Sequence, residues 1–218
     1  MKSFSTFKRL PEVQIIIFKL DQTMQFSRAL LLLFMVFTTF SLKSQSTTSK
    51  HLAFKGVPID GTLNEYVTKM KAAGFKLEGV EDGLALFIGD FAAYKDCMIG
   101  VRTLDGMDLV NKVTVIFPDV NTWSRLESNY SDLKELLTIK YGEPDRVNEE
   151  FEGTLPPRDD SSKMHELVME RCKYWSSFEL ENGIIQVSIE YSGNAFVMLA
   201  YWDKINSEEV RKKALEDL

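Results

Sequence analysis

The feature that most constrains the fold of this chain is an order stated twice: one helix-like segment followed by four short strand-like segments. Connections of a few turn residues favour antiparallel neighbours, because parallel strands need a long crossover. The order therefore predicts an α+β fold of two successive helix-plus-antiparallel-strand units, with the helices packed on one face of a mainly antiparallel sheet. The predicted strands are 75–80, 84–91, 97–103, 110–117, 146–151, 173–180, 184–191 and 195–202.

Each unit is expected to open with a helix. In PIDGTLNEYVTKM, Pro58 and Gly61 suit a turn, and Thr62 with Glu65 three residues later forms a capping box. Apolar residues then recur at helical spacing until a glycine ends the helix. The second helix is predicted over about 122–141, where YGEP ends it. No residue of the first stretch is left over that requires a phosphate or a metal ion.

Alternation within the strands predicts which faces of the sheet are covered. In IIQVSIEY (184–191), apolar and polar residues alternate, so this strand has one face in water. AFVMLAYW (195–202) has apolar residues on both faces of the strand, which places it centrally in the sheet or covered on both faces. The dipeptide Asn182-Gly183 predicts a hairpin between two of the strands.

These elements divide the chain into a first unit over 51–118 and a second over 119–206, after a polar tail at 45–50 that we expect to be mobile. The second unit carries an insertion at 152–171, in which LPPRDDSS is loop by composition and SKMHELVMER suits a short helix. A polar C-terminal helix is predicted over 207–218, capped by Ser207.

The N-terminal part of the chain has the features of a signal peptide. Residues 29–42 are uncharged, follow Arg28 and precede the small and polar KSQS. A bilayer span takes roughly 20 apolar residues, so this run predicts export with cleavage after Ser44 and no stable membrane span afterwards. Because MQFSRALLLL alone would make a compact signal peptide, we hypothesise that translation starts at Met24, which makes 1–23 an upstream extension.

Charge disfavours nucleic acid as a partner. The chain has 26 basic and 32 acidic residues, and residues 1–44 hold six and two of these. The remaining 20 basic and 30 acidic residues give the mature chain a net charge near −10. Such a surface repels phosphate backbones, and the chain has no run of five basic residues.

The sequence lacks the common catalytic motifs, among them G-x-S-x-G, the P-loop, G-x-G-x-x-G and H-E-x-x-H. Its two histidines, His51 in the predicted mobile start and His165 in the insertion, are expected to be poorly anchored. We therefore predict no metal site and no cofactor. Carboxylates are an open alternative, because glycosidase chemistry needs two of them at a defined separation. The candidates for it are Glu149, Glu150 and Glu152 just before the insertion, Asp159 and Asp160 within it, and Glu179 and Glu181 at a strand end.

Aromatic and cysteine residues supply the remaining candidates. Tyr174 with Trp175 and Tyr201 with Trp202 lie in predicted strands, so one residue of each pair is expected to pack inward and the other to be partly exposed. Exposed aromatic residues anchor partners or stack on ligands, whereas buried ones complete the core. Cys97 and Cys172 permit one disulfide in an exported protein or two separate buried thiols.

The stretches FKGVPIDGTLNEYVTKMKAAGF, LKELLTIKYGEP and VMLAYWDKINSEE resemble a group of uncharacterised exported proteins of Bacteroidetes, over about residues 51–208. The two-unit plan is similar, in architecture only, to beta-lactamase-inhibitor-like modules. The resemblance implies a cell-envelope protein and assigns no catalytic residue.

Three functions follow as hypotheses. The first is a non-catalytic binding protein that recognises an envelope protein or glycan through an exposed sheet face or the insertion. The second is a hydrolase of envelope polymers that uses paired carboxylates. The third is a structural or assembly factor of the envelope.

Overall fold

The structure, a computed structural model, describes residues 50–153 and 156–216. The upstream extension, the start at Met24, the signal segment with its cleavage after Ser44, and residues 45–49 of the polar tail lie outside the described residues. Four helices are described: α1 (Leu63–Ala72), α2 (Trp123–Tyr141), α3 (Asp160–Val168) and α4 (Lys204–Glu216). The strands are β1 (Ala53–Phe54), β2 (Val57–Pro58), β3 (Lys76–Glu81), β4 (Leu84–Phe91), β5 (Tyr94–Thr103), β6 (Val110–Ile116), β7 (Arg146–Phe151), β8 (Cys172–Leu180), β9 (Gly183–Ser192) and β10 (Asn194–Asp203).

Eight of the strands form one antiparallel sheet in the order β3-β4-β5-β6-β10-β9-β8-β7. The fold is therefore α+β with a large antiparallel sheet, as the short connections predict. Strands β3–β6 and β7–β10 share this sheet because β6 pairs with β10, from Met198 opposite Ile116 to Trp202 opposite Lys112. The central place of β10 agrees with the apolar residues on both of its faces.

One face of the sheet carries the core. Alternate residues of β9 and β10 are buried, among them Ile185, Val187, Val197 and Leu199. Helices α1 and α2 contact this side of the sheet. Both begin close to their predicted starts, and the predicted capping box of α1 is present, with Thr62 Oγ1 accepting from Glu65 N at 3.3 Å. The buried residues of α2 are Trp123, Leu126, Tyr130, Leu133 and Leu137.

A two-stranded hairpin, β1 with β2, was not among the predicted elements. Lys55 and Gly56 join the strands with φ values of 50° and 79°, the signs that a type I′ turn requires. The hairpin brings the fully buried Phe54 into the core, with its ring centroid 5.1 Å from that of Phe91 and 5.5 Å from that of Tyr201. The strands are only two residues long, too short for a recognisable alternating pattern.

The predicted hairpin at Asn182-Gly183 forms between β8 and β9, where Leu180 pairs with Gly183. Its turn residues are Glu181 and Asn182, and neither is among the described residues with positive φ, so the turn is not type I′. Gly183 is needed for a different reason. A Cβ at this position would overlap the carbonyl oxygen of Trp202 and lie 2.8 Å from Leu52 Cδ2.

The C-terminal helix α4 begins at Lys204, before the predicted start, and Ser207 does not cap it. The Asp203 carboxylate accepts from Asn206 N at 3.1 Å, so the cap comes from the last residue of β10. The Ser207 hydroxyl instead donates to the Asp203 carbonyl at 3.3 Å. Within the insertion, α3 follows Asp159, whose side chain accepts from Ser162 N at 2.8 Å. Among the described helices, none is both long and apolar enough to span a bilayer.

Candidate ligand-binding cavity

The second face of the sheet, which we call the open face, carries the residues between the buried ones. Toward β4 and β5 it carries the apolar Leu84, Leu86 and Met98, of which Met98 is 44% exposed, with Arg102 and Lys112 beside them. Toward β7–β9 they become polar, with Arg146 opposite Ser177 and Ser177 opposite Gln186. The two ends of this face therefore differ in the contacts that they offer.

A cavity of about 550 Å³ lies on the polar half of the open face, against α4. Volumes of roughly 300–1,000 Å³ are usual for small-ligand sites. Strands β8, β9 and β10 provide its floor and α4 provides a wall. The lining residues are Asn111, Arg146, Trp175, Ser177, Glu179, Ile184, Gln186, Trp202, Asp203, Lys204, Ser207, Glu208 and Arg211.

The four aromatic candidates divide between the two faces. Trp175 and Trp202 line the cavity and are partly buried. Tyr174 and Tyr201 point to the core, where Tyr174 packs on Trp123 with a centroid distance of 4.9 Å and Tyr201 is 5% exposed. The structure thus brings the two tryptophans together at one site and takes the two tyrosines away from it.

Two polar residues on the cavity floor were missing from the predicted site. Ser177 is 7% exposed and lines the cavity. Gln186 lies directly opposite it on β9. Ser177 lies two residues after Trp175 in β8, so the alternation of side chains could have placed it on the same face as that tryptophan. Gln186 was already on the face predicted to be in water. The contribution of α4 carried no such signal, because sequence alone does not tell where this helix packs.

Charged groups in and beside the cavity are partly compensated. Arg146 Nη2 lies 3.2 Å from Glu179 Oε1. Lys112 Nζ lies 4.8 Å from the centroid of Trp202, a cation–π contact. Burial, followed by the charge of Arg102, lowers the pKa of Lys112. Trp202 thus lines the cavity while its ring also contacts a cation.

The two cysteines are free thiols in the structure, so the possible disulfide between Cys97 and Cys172 is not formed. Cys97 lies on β5 and Cys172 on β8, with three strands between them. At about 4.8 Å per strand spacing, their Cα atoms are roughly 19 Å apart, whereas a disulfide needs less than about 7 Å. Burial raises the pKa of Cys97 and raises that of Cys172 to about 12, which keeps both thiols protonated and unreactive.

The candidate catalytic carboxylates do not converge, and of the seven only Glu179 lines the cavity. Glu149 accepts from Tyr130 Oη at 2.9 Å and pairs with Lys134 Nζ at 2.6 Å, on the helix-covered face. Glu150 follows it in β7 and so points to the opposite face. Asp159 caps α3, and its neighbour Asp160 accepts from the Ser124 hydroxyl at 2.6 Å. Hydrogen bonds of this kind lower the pKa of both aspartates.

The prediction that His51 is poorly anchored is wrong, because its ring contacts two carboxylates. Its Nδ1 lies 3.2 Å from Asp203 Oδ1 and its Nε2 lies 3.5 Å from Asp60 Oδ2. The Asp203 carboxylate also accepts from Leu52 N at 2.8 Å. Burial opposes the ionisation of Asp60, but hydrogen bonds from the Gly61 amide and Asn206, with smaller contributions from His51 and Lys69, hold the pKa of Asp60 below its usual value. These contacts join the β1–β2 hairpin to the end of β10.

His165 is exposed on α3, far along the chain from His51. Within 50–153 and 156–216, no group of three or more His, Cys, Asp and Glu side chains is arranged to hold a metal ion. Comparison of the chain with protein-family models, with curated proteins and with solved structures finds no match.

Proposed function

We propose that this chain is an exported, non-catalytic binding protein of the bacterial cell envelope, and that the cavity on the open face is its ligand site. The observation that carries the proposal is that Trp175 and Trp202 line one cavity together with the uncharged polar residues Ser177 and Gln186. Apolar rings with a few convergent polar groups are the usual lining of a small-ligand site. Export rests on the signal segment and on the resemblance to exported proteins of Bacteroidetes.

The non-catalytic part of the proposal is supported by the carboxylates. A glycosidase needs two carboxyl groups across the scissile bond, about 5–9.5 Å apart. The only carboxylates among the residues lining the cavity are Glu179, Asp203 and Glu208. Glu179 pairs with Arg146, and Asp203 is buried and accepts hydrogen bonds from backbone amides. This leaves Glu208 without an available second carboxylate in the cavity.

The two-unit plan also belongs to the proposal. The helix α1 precedes β3–β6 and the helix α2 precedes β7–β10, and the last strand of each set meets the other at the centre of the sheet. This order supports two successive helix-plus-strand units joined through β6 and β10.

The binding function is tested with the mature chain, residues 45–218, and soluble envelope fragments. The probes are mutanolysin-digested peptidoglycan, lipopolysaccharide and capsular polysaccharide fragments. We expect at least one probe to change the tryptophan fluorescence saturably, because two of the three indoles lie in the cavity and only Trp123 is fully buried. Replacing either cavity tryptophan by alanine should weaken binding about tenfold through the lost stacking.

Tyr191→Ala is the matched control, because Tyr191 is a 39% exposed aromatic residue that does not line the cavity. Circular dichroism checks that each variant is folded. Unchanged affinity in the double variant of Trp175 and Trp202 would place the ligand elsewhere. Chromatography of the probes after prolonged incubation tests catalysis, and the release of smaller products would favour the hydrolase.

A structural or assembly factor is the second candidate, and the apolar half of the open face favours it. Leu84, Leu86 and Met98 lie on this half, where Gly100 leaves room between the strands for the two leucines. A photo-cross-linker at Met98 should then capture one defined envelope protein in cells, whereas the same group at Ile139 on α2 should not. Ile139 is a suitable control because it is 76% exposed. Equal labelling at the two positions would count against an assembly role.

A further inference from the structure

We propose that the cavity takes a linear, electrically neutral oligosaccharide that stacks on Trp175 at one end and on Trp202 at the other. This inference rests on the proposed function and narrows it to one class of ligand. It follows from the positions of the two indoles, from the groups between them and from the charges around them.

The strand register separates the two indoles. Trp175 on β8 lies opposite Ser188 of β9, and Trp202 on β10 lies opposite Ile184 of β9. The tryptophans are therefore two strand spacings apart across the sheet and four residues apart along it. On an ideal sheet this places their Cα atoms roughly 16 Å apart. Stacked rings have centroids only about 4.5–7 Å apart, so the ligand must offer flat faces at two separated places.

The floor between the indoles is polar and uncharged. Ser177 and Gln186 face each other across β8 and β9, and the adjacent residue of β10 at this level is Ala200. A serine hydroxyl and a glutamine amide each donate and accept hydrogen bonds. Sugar hydroxyls do the same, so they match both groups. Both residues line the cavity, so a ligand hydroxyl that enters it can reach them.

The charges that line the cavity balance each other. Three basic residues, Arg146, Lys204 and Arg211, face three acidic ones, Glu179, Asp203 and Glu208. A site for phosphate or another polyanion would present an excess of basic groups instead. In a mature chain of net charge near −10, an even count around the cavity favours a ligand without net charge.

The geometry also disfavours an extended peptide. A peptide that adds to a sheet does so at an edge strand, where it gains backbone hydrogen bonds. The cavity instead lies over β8, β9 and β10, and β9 and β10 are paired on both sides. A ligand above the face must be held by side chains, and a chain of sugar rings offers both the apolar faces and the hydroxyl groups that these side chains match.

Isothermal titration calorimetry of residues 45–218 tests the inference. The probes are neutral hexasaccharides of β-1,4-linked glucose, β-1,3-linked glucose and β-1,4-linked N-acetylglucosamine, the corresponding monosaccharides, and heparin as a polyanion. We expect one hexasaccharide to bind about 100-fold more tightly than its monosaccharide, because only the longer chain reaches both indoles. Raising sodium chloride from about 50 to 500 mM should change its Kd less than about twofold, since screening affects charged ligands.

Variants locate the contacts. Trp175→Ala and Trp202→Ala should each weaken hexasaccharide binding about tenfold and leave the monosaccharide affinity much less changed. Ser177→Val, which keeps the shape and removes the hydroxyl, should weaken binding without altering the circular dichroism spectrum. Tyr191→Ala should bind as the unchanged chain does. Together these results would support one extended ligand across both tryptophans.

Two outcomes would overturn the inference. If no neutral oligosaccharide binds while an envelope fragment of other chemistry binds in a Trp175-dependent manner, the ligand class is wrong and the binding function remains. If heparin binds more tightly than every hexasaccharide, with strong salt dependence, the cavity selects anions. If no probe of any chemistry binds in a way that depends on Trp175, by contrast, the result would count against the proposed function itself.

Discussion

Tyrosine hydroxyl groups in the core differ in whether they find a partner. The Tyr66 hydroxyl is buried and has no hydrogen-bond partner among the described residues. The Tyr130 hydroxyl lies 2.6 Å from Ser176 Oγ and donates to Glu149 at 2.9 Å. The two tyrosines are equally buried, so they isolate the effect of the hydrogen bonds.

We expect Tyr66→Phe to leave the free energy of unfolding unchanged or to raise it by up to about 1 kcal/mol, because an unsatisfied buried hydroxyl is removed. Tyr130→Phe should lower it by about 1–2 kcal/mol, because it leaves the buried Ser176 hydroxyl without this partner. Urea denaturation followed by circular dichroism measures both. An equal loss in the two variants would mean that ring packing, and not hydrogen bonding, dominates at these positions.

Residue-level prediction from sequence succeeded where strand alternation decides the answer. It separated Trp175 from Tyr174 and Trp202 from Tyr201 into two sets, because neighbouring strand residues face opposite ways. It did not say which member of each pair meets the core, since that depends on where the helices pack. The partners of His51 were also out of reach, because Asp203 is 152 residues away in the chain.

At the scale of elements, one hairpin turn has residues that are poorly suited to its backbone conformation. The turn between β4 and β5 consists of Ala92 and Ala93, with φ values of 48° and 68°. Left-handed backbone costs a non-glycine residue about 1–2 kcal/mol. The turn between β3 and β4 has the same signs of φ but uses Asp82 and Gly83, which suit them better.

Ala93→Gly should therefore raise the free energy of unfolding by about 1 kcal/mol, because glycine adopts positive φ without steric cost. The matched control is Ala72→Gly at the exposed end of α1, which should lower it by about 0.5–1 kcal/mol. Thermal and urea denaturation of the two variants give the comparison. A decrease in both would mean that the lost side chain at Ala93 outweighs the relieved backbone.

Element boundaries were predictable where local capping sets them and not where tertiary contacts do. The start of α1 follows from Thr62 and Glu65, which lie within one turn of each other. The start of α4 depends on Asp203, whose carboxylate is buried among contacts from distant parts of the chain. Ser207 has the chemistry of a cap, but Asp203, held in place by tertiary contacts, caps the helix four residues earlier.

At the scale of the whole molecule, both halves of the sheet depend on the β6–β10 pairing. We expect neither residues 50–118 nor residues 119–216 to fold alone, because separation exposes the buried Val113, Val115 and Leu199 at new sheet edges. Two-dimensional NMR of each fragment should show narrow amide dispersion, and the joined chain should unfold in one cooperative transition. A well-dispersed spectrum of 50–118 would show that this half has a self-sufficient core.

Stability should also fall in alkali. Burial raises the pKa of Tyr66, Tyr130 and Tyr201 above the ordinary value, and raises that of Tyr174 to about 12. A raised pKa in the folded state gives stability that is present below about pH 10 and is lost as the pH rises through 12, because the unfolded chain ionises first. Urea midpoints at pH 8, 10 and 11.5 measure the loss, and Tyr174→Phe should reduce it. A constant midpoint would contradict this sign.

The sequence predicted the number of the large strands and their order along the chain, because short turns and alternation are local signals. It left open whether the two halves share a sheet, because strand order depends on pairings between distant segments. The cavity could not be predicted for the same reason. It needs β8 next to β9, β9 next to β10, and α4 returning to the same place, none of which the local pattern specifies.

The hydrogen bond from Leu52 N to Asp203 sets a condition on the timing of folding. The two residues are 151 positions apart, and ribosomes add about 5–20 residues per second, so on the order of ten seconds separates their synthesis. Until Asp203 exists, the β1–β2 hairpin has no acceptor for this amide and the centre of the sheet lacks β10. A nascent chain of this design therefore completes its sheet, and the contacts of its first hairpin, only near the end of its synthesis.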